Sequence, residues 1–243
     1  MHNNSQSIVV IDIFGKAALD YQSNNYTEDI KTFSSLDEED VIPLPYLFRD
    51  FSQMPVIEQK ALELCHGKIL DIGCGVGSHS LYLQNKGLNT TALDISKGAT
   101  DVCKLRGVKK VIQTDLLELE GEKYDTLLML MNGIGIAGSL EKLPLFFTKL
   151  KSLLKPNGQI LVDSSDIIYM FDADEDGGYW IPDNRYYGEV EFSLTYKTEK
   201  GTPFSWLYID YNTLQRAAAS NGLICELITE GQHYDYLAKL SLK

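Results

Sequence analysis

The chain has 243 residues, with 22 Lys and Arg against 34 Asp and Glu, a formal charge of −12, and 44% hydrophobic residues. So acidic a surface repels phosphate backbones and anionic bilayers, which argues against nucleic acid or membrane as partners, and no stretch reaches the roughly 20 apolar residues of a membrane helix. The length suits one large domain, or one domain with a cap.

The N-terminal stretch lacks a basic region followed by a long apolar segment, so a cytoplasmic location is expected. Residues 1–66 hold 4 bases and 11 acids. A short helical pattern surrounds Gly15 to Tyr21, a polar, acid-rich link runs to Asp40, and a helix from about Pro55 to Cys65 stops at Gly67. Residues 67–163 are close to neutral, with 12 bases and 10 acids, and alternate strand with helix. Lys68 to Ile72 is a short apolar run ending in a glycine cluster, and Ser78 to Asn85 reads as a helix closed by Gly87. Thr90 to Asp94 repeats the strand signal, and Ser96 caps a helix that runs to about Arg106. Val108 to Gln113 and Tyr124 to Met131 follow, the second almost continuously apolar, as a strand covered on both faces should be. Leu143 to Leu154 keeps helical spacing, Lys155-Pro156-Asn157-Gly158 stops it, and Gln159 to Val162 is a fifth strand.

Residues 164–243 turn acidic again, with 6 bases and 13 acids, and they carry 14 of the 25 aromatic residues. Within 164–209, Glu189 to Lys197 alternates like a strand. Asp210 to Asn221 is a further helix stopped by Gly222, and Leu223 to Glu230 and Tyr236 to Leu242 are too closely spaced to pair other than antiparallel. The alternation predicts an α/β fold with a doubly wound, mostly parallel sheet. Cys65, Cys74, Cys103 and Cys225 have no metal-type spacing and read as reduced thiols.

In such a sheet a ligand sits at the carboxyl ends of the strands, where strand order reverses. Three features arrive there in succession. Asp71-Ile72-Gly73-Cys74-Gly75-Val76-Gly77 joins strand to helix, and its glycines let the backbone turn and approach a ligand closely. Asp94 ends the next strand, placed to accept from both hydroxyls of a ribose. Asp115-Leu116 follows the third, where a carboxylate receives an adenine amino group and leucine packs on the ring.

These residues resemble the class I S-adenosylmethionine-dependent methyltransferases. Asp71 to Gly77 matches that family's acidic-x-Gly-x-Gly-x-Gly loop, Asp94 its ribose acid, Asp115 its adenine-side acid, and Leu154 to Gln159 its turn before the fifth strand. The resemblance covers roughly Cys65 to Asp163, and more loosely the last helix and strand pair. It implies a Rossmann-like three-layer sandwich: a seven-stranded, mostly parallel sheet with one antiparallel strand. It implies S-adenosyl-L-methionine as cofactor, with the glycine-loop backbone and Asp71 at its methionine end. Cys74, Ile95, Leu116 and Met131 are expected to touch the cofactor, and Asn132 to flank the sulfur. Residues 1–66 become an N-terminal helical lid whose Tyr21 reaches the cofactor, 67–163 the core, 164–209 an inserted β substrate cap, and 210–243 the completion of the sheet.

Two alternatives stay open. A dinucleotide oxidoreductase shares the architecture but expects its third glycine or alanine where Ser78 stands, and a non-catalytic nucleotide-binding module shares everything but the chemistry. For a methyltransferase the acceptor reads as a small molecule, because Met131 to Gly135 is not the Asn/Asp-Pro-Pro-aromatic clamp for base amines and no cysteine follows a proline. The acid and aromatics of the flanks suit an amine or cation; a protein Lys or Arg also fits an acidic cleft. His79, His233, Asp163 and Asp166 are the available bases, and none is chosen. Asp172, Asp174, Asp176 and Asp183 imitate a calcium-loop spacing, but Pro182 stands where an exiting helix would start, so a solvated acidic turn is expected and no metal. Monomer and homodimer are both compatible with the chain.

Overall fold

A computed structural model describes residues 11–174, 176–181 and 185–243. The chain begins with α1 (Ile13–Gln22), a hairpin of β1 (Ile30–Ser34) and β2 (Glu39–Ile42), one turn of α2 (Leu44–Leu47), and α3 (Val56–Leu64). The alternating region then runs β3 (Lys68–Ile72), α4 (Ser78–Asn85), β4 (Asn89–Asp94), α5 (Lys97–Leu105), β5 (Val111–Gln113), β6 (Tyr124–Met129), α6 (Leu143–Leu153) and β7 (Leu154–Ser165). The remainder is β8 (Glu189–Tyr196), β9 (Glu199–Lys200), β10 (Phe204–Leu207), α7 (Tyr211–Ser220), β11 (Leu223–Glu230) and β12 (Asp235–Leu242).

Seven strands form the central sheet in the order β11-β12-β7-β6-β3-β4-β5. The pairs from β7 to β5 are parallel, and β12 runs antiparallel to both β7 and β11. The mostly parallel, seven-stranded expectation is therefore met. Strand order reverses between β3 and β6, which opens the crevice at their carboxyl ends.

Alternation along the strands decides which face each helix covers. Leu70, Leu127, Met129, Ile160 and Val162 point into one cluster with Phe146, Phe147 and Leu150 of α6 and Leu214 of α7. Ile69, Leu128 and Leu161 point the other way, against Ile57, Ala61 and Leu62 of α3 and Leu83 of α4. Each such fully buried side chain contributes about 1.5–3 kcal/mol. Local signals set the ends: the Ser96 hydroxyl accepts from the Ala99 amide at 3.0 Å at the start of α5, and Asp210 accepts from the Thr213 amide at 2.9 Å at the start of α7.

The flanks differ from the sequence expectation in one respect. The acid-rich link before Asp40 is the β1–β2 hairpin, and β1 pairs antiparallel with β8 from Lys31↔Thr195 to Ser34↔Phe192. With β9 and β10 these strands make a second, five-stranded sheet, so the N-terminal segment and the insertion meet in one layer. Period-two burial is present in Ile30 to Thr32. The partner strand, however, lies on the far side of the whole alternating core in sequence, beyond the reach of any local pattern. Beneath the sheet, Ile13, Ala17 and Ala18 of α1 join Ile30, Val76, Val102 and Tyr196 in a third cluster. No helix among the described residues is long and apolar enough to cross a membrane.

Candidate active site

A cavity of about 1120 Å³ lies between the two sheets. Its floor is built from the loops at the carboxyl ends of the central strands, including Gly73 to Val76 after β3, Asp94 to Ser96 after β4, Asp115 and Leu116 after β5, and Met131 and Gly133 after β6. Its roof comes from the second sheet: Glu39 to Ile42 on β2, Phe192 on β8, and Phe204 to Trp206 on β10.

The glycine loop is tied to its neighbour by the Gly73 and Cys74 amides, which donate to the Leu93 carbonyl at 2.8 and 3.0 Å. Gly75 has a positive φ, in the left-handed region that L side chains rarely adopt. Phe14 of α1 sits just above it, 3.5 Å from where a Cβ would be. Asp94 is half-buried. One carboxylate oxygen accepts from the Gly75 amide at 2.8 Å and the other from the Ser96 amide at 2.8 Å. A carboxylate has about four acceptor sites, so two remain for a diol. Burial pushes the Asp94 pKa up to about 6, against the hydrogen bonds of Ser96 and Gly75 that favour the charged form. Asp115 caps the short turn at Leu116–Glu118 by accepting from the Leu117 amide at 2.8 Å.

Four of the expected cofactor residues stand behind the wall rather than in it. Asp71 is buried on the face toward α4, where it accepts from the Ser80 hydroxyl at 2.6 Å and thereby fixes the helix that follows the loop; burial raises its pKa. Gly77 is the left-handed residue that opens α4. Tyr21 packs on Phe48, with ring centres 4.5 Å apart. Asn132 donates from Nδ2 to the Leu207 carbonyl at 3.0 Å and accepts from the Ser164 hydroxyl at 3.0 Å, so its side chain fastens the end of β10 to the core. Gly73, Cys74, Gly75, Ile95, Leu116 and Met131 line the cavity together with Asp94 and Asp115.

The candidate bases separate in the same way. Asp163 is buried and accepts from the Met131 and Gly133 amides at 3.0 and 2.8 Å. These bonds hold Met131 and Asn132 at positive φ, a strained pair at the cavity edge. Burial pushes the Asp163 pKa up to about 6. Asp166 accepts from the Tyr187 hydroxyl at 2.7 Å, and His233 lies in the β11–β12 turn; neither lines the cavity. His79 does, with Nε2 2.7 Å from Glu58 Oε2. Asp174 accepts from the Asp176 and Gly178 amides of its own turn, at 3.1 and 2.6 Å, whereas Pro182 and Asp183 lie outside the described residues.

Sequence reasoning missed Phe14, Arg49, the acidic stretch Glu38 to Asp40 as a cavity rim, and Gly135. At Gly135 the Trp206 indole comes so close that a Cβ would lie 2.1 Å from its Nε1, so glycine is required for β10 to seat. The glycine spacing was visible in the chain; the indole that needs it arrives from β10.

A sheet of this order, with a glycine loop and two successive acids at its carboxyl edge, defines a doubly wound α/β protein with a Rossmann-like site, and the comparisons specify the family. Residues 69–158 match the family model described as a methyltransferase domain. A crystal structure of a SAM-dependent methyltransferase from Bacteroides fragilis in complex with S-adenosyl-L-homocysteine is 48% identical, with TM-score 0.89 over 95% of this chain and 94% of that one. The chain belongs to the S-adenosylmethionine-dependent methyltransferases, and S-adenosylmethionine is its cofactor. A ubiquinone biosynthesis O-methyltransferase from Rickettsia conorii is 30% identical over 113 residues, which is 44% of this chain and 38% of that protein. The chain thus spans about two fifths of the length of the curated relatives that it matches. The sugar N-methyltransferase KedS8 from Streptoalloteichus shares the fold, with TM-score 0.56 at 16% identity over 77% of this chain and 85% of that one.

Proposed function

We propose that the protein transfers a methyl group from S-adenosylmethionine to a small amine or cationic acceptor held beneath the second sheet. The observation that carries this reading is the continuous cavity, with the nucleoside-type floor at one end and an aromatic, acid-rimmed roof at the other. Its volume is about 1120 Å³. That exceeds the roughly 300–1,000 Å³ typical of a pocket for one ligand, leaving room for cofactor and acceptor together. The roof presents Phe192, Phe204, Trp206 and Tyr208, whose ring centres lie 6.0–6.3 Å from their neighbours, and the rim carries Glu38, Glu39 and Asp40. Ring faces and carboxylates attract a cation, the rings most strongly where water is excluded.

The donor set fits the cofactor. Asp94 holds the ribose through its two unused acceptor sites, Asp115 and Leu116 take the adenine, and the backbone of Gly73 to Gly75 supports the methionine end. The cofactor supplies a sulfonium methyl group that is intrinsically open to in-line displacement. What the chain adds is alignment and exclusion of water: the roof presses the acceptor toward the floor, and the strained turn at Met131 fixes the edge between them. The acceptor nitrogen needs a free lone pair at transfer, so an amine drawn in as its ammonium first gives up a proton to solvent or to a wall group; of the four candidate bases His79 lines the cavity, whereas Asp163, Asp166 and His233 do not.

Calorimetric titration with S-adenosylhomocysteine and with NADH, followed by a homocysteine-release screen over amines, phenols and carboxylates, tests it. Micromolar binding of the nucleoside thioether and turnover confined to amines are expected. Turnover of carboxylates or phenols without amines overturns the acceptor class, and binding of NADH alone overturns the cofactor placement.

A further inference from the structure

Cys74 and Cys103 stand together under the glycine loop as free thiols, their sulfur atoms 3.8 Å apart. Cys74, between Gly73 and Gly75, is 7% exposed and lines the cavity; Cys103, in the last turn of α5, is buried and does not. With Ala92 and Val108 they form a small cluster beneath the floor of the site. The Cys103 thiol also donates to the Gly75 carbonyl at 3.2 Å, and its sulfur lies 2.9 Å from where a Cβ on Gly77 would be, so α5 presses this side chain against the loop on both sides of Val76. The other two cysteines are elsewhere. Cys65 and Cys225 belong to the clusters on opposite faces of the central sheet, and the Cys65 thiol donates to the Ala61 carbonyl at 3.4 Å.

A disulfide holds its sulfurs about 2.05 Å apart, so closing this pair asks for a displacement of just under about 2 Å. The loop can supply it: Cys74 is flanked by two glycines, whose backbone has the widest choice of conformation, whereas Cys103 is fixed in a hydrogen-bonded helix. That movement has a consequence for the site. The Cys74 amide donates to the Leu93 carbonyl and the Gly75 amide to Asp94, so a pull on Cys74 toward α5 disturbs both bonds that hold the loop against the end of β4. The neighbouring Cys103 thiol, burial, and the Asp71 and Asp94 carboxylates raise the Cys74 pKa well above its ordinary value. The thiolate is the reactive form, so the pair stays reduced until an oxidant small enough to enter the cavity meets Cys74.

We propose that Cys74 and Cys103 are the site of a reversible disulfide, formed when a hydroperoxide enters the cavity while no cofactor covers the loop, and that this bond lowers affinity for the cofactor. Cys74, the thiol that the cavity exposes, attacks the O–O bond as its thiolate and becomes a sulfenic acid, while the peroxide leaves as an alcohol, or as water from hydrogen peroxide. Cys103 sulfur then attacks the sulfenic sulfur, its thiol proton departs with the hydroxyl as water, and the S–S bond forms. Two thiols and one hydroperoxide thus give one disulfide, one alcohol and one water, with two electrons passing from the sulfurs to the peroxide. A thiol reductant returns both cysteines and frees the loop from α5.

The test exposes the full chain to hydrogen peroxide with and without saturating S-adenosylhomocysteine, then denatures it, alkylates the remaining thiols and maps the tryptic peptides by mass spectrometry. A linked pair of Cys74 and Cys103 peptides, about 2 Da lighter than the two reduced peptides together, is expected, while Cys65 and Cys225 are recovered alkylated. Bound S-adenosylhomocysteine slows the linkage by at least about tenfold, and calorimetry on the oxidised protein gives an affinity at least about tenfold weaker that dithiothreitol restores. Cys103→Ala gives no linked peptide, and its Cys74 passes on to sulfinic and sulfonic acids that dithiothreitol does not reverse. Should that variant fail to melt cooperatively, the wild-type peptide map and affinities decide alone. Oxidation of wild-type Cys74 without linkage, linkage through Cys65 or Cys225, or four thiols left intact overturns the assignment of the site. Linkage that leaves the affinity for S-adenosylhomocysteine unchanged overturns its hold on the cofactor.

Discussion

At the scale of single residues, the site uses carboxylates in opposite ways. Asp94 lines the cavity with spare acceptor capacity, whereas Asp163, likewise displaced toward neutrality by burial, spends its oxygens on the Met131 and Gly133 amides. Both pKa values are raised to about 6, so the folded state retains protons that the unfolded chain has already lost. Stability from these two groups therefore falls as pH rises from about 4 to about 6 and is not lost on acidification through that range. On the proposed placement, in which the ribose hydroxyls donate to ionised Asp94, cofactor affinity is expected to run the other way. Calorimetric Kd for S-adenosylhomocysteine is expected to weaken by up to about tenfold between pH 7 and pH 5, with Asp94→Asn both weaker and nearly flat over that interval. An unchanged pH profile in the variant would assign the effect to another group. Asp71 makes the complementary point: it belongs to the motif, yet one of its oxygens is taken by the Ser80 hydroxyl of α4.

Among the elements, α1 shows how a segment outside the nucleotide motif becomes part of the site. Asp12 accepts from the Gly15 amide at 2.9 Å, the Ser96 hydroxyl at 2.8 and 2.9 Å, and the Gly98 amide at 2.9 Å, so one carboxylate both caps α1 and staples it to the start of α5. The two helices touch at Gly15 and Gly98, where a Cβ on Gly98 would lie 2.4 Å from the Gly15 backbone. This contact is what carries Phe14 over Gly75. Asp12→Ala removes the cap and leaves three donors to find new partners, an expected loss of about 1–3 kcal/mol in thermal or denaturant unfolding together with weaker S-adenosylhomocysteine binding. Unfolding that shifts with no change in affinity would show α1 to be a prop remote from the ligand. The helix was legible from its spacing around Gly15 to Tyr21; its cap partner on α5 was not, since Asp12 and Ser96 are 84 positions apart.

For the molecule as a whole, the charge of −12 is distributed in a way that matters to the site. The near-neutral core supplies the floor, and the two acidic flanks combine into the roof, because β1 and β2 come from before the core and β8, β9 and β10 from after β7. Within that sheet the β1–β2, β8–β9 and β8–β10 pairings are local, but the β1–β8 pairing that joins the two segments spans the whole core and is expected to close late in folding. Amides of Lys31 to Phe33 and of Phe192 to Thr195 should then exchange with solvent as one cooperative unit, at a rate faster than β3 and β6 and slowed by bound S-adenosylhomocysteine. Separate exchange of the two segments would mean that lid and cap open independently.

The sequence by itself determined the alternating core, the glycine loop and the two acids Asp94 and Asp115, because each is written in short-range periodicity or in the few residues that end a strand. It also showed that acid and aromatics crowd the flanks. Only the tertiary structure decided that those flanks share one sheet, that Asp71 bonds Ser80 and Asn132 bonds Leu207 and Ser164, and that Arg49 stands as the lone Lys or Arg on the described cavity wall. The physical reason is the same in each case: strand pairing and side-chain partnership between distant parts of the chain depend on which surfaces folding brings together, and no local pattern encodes that.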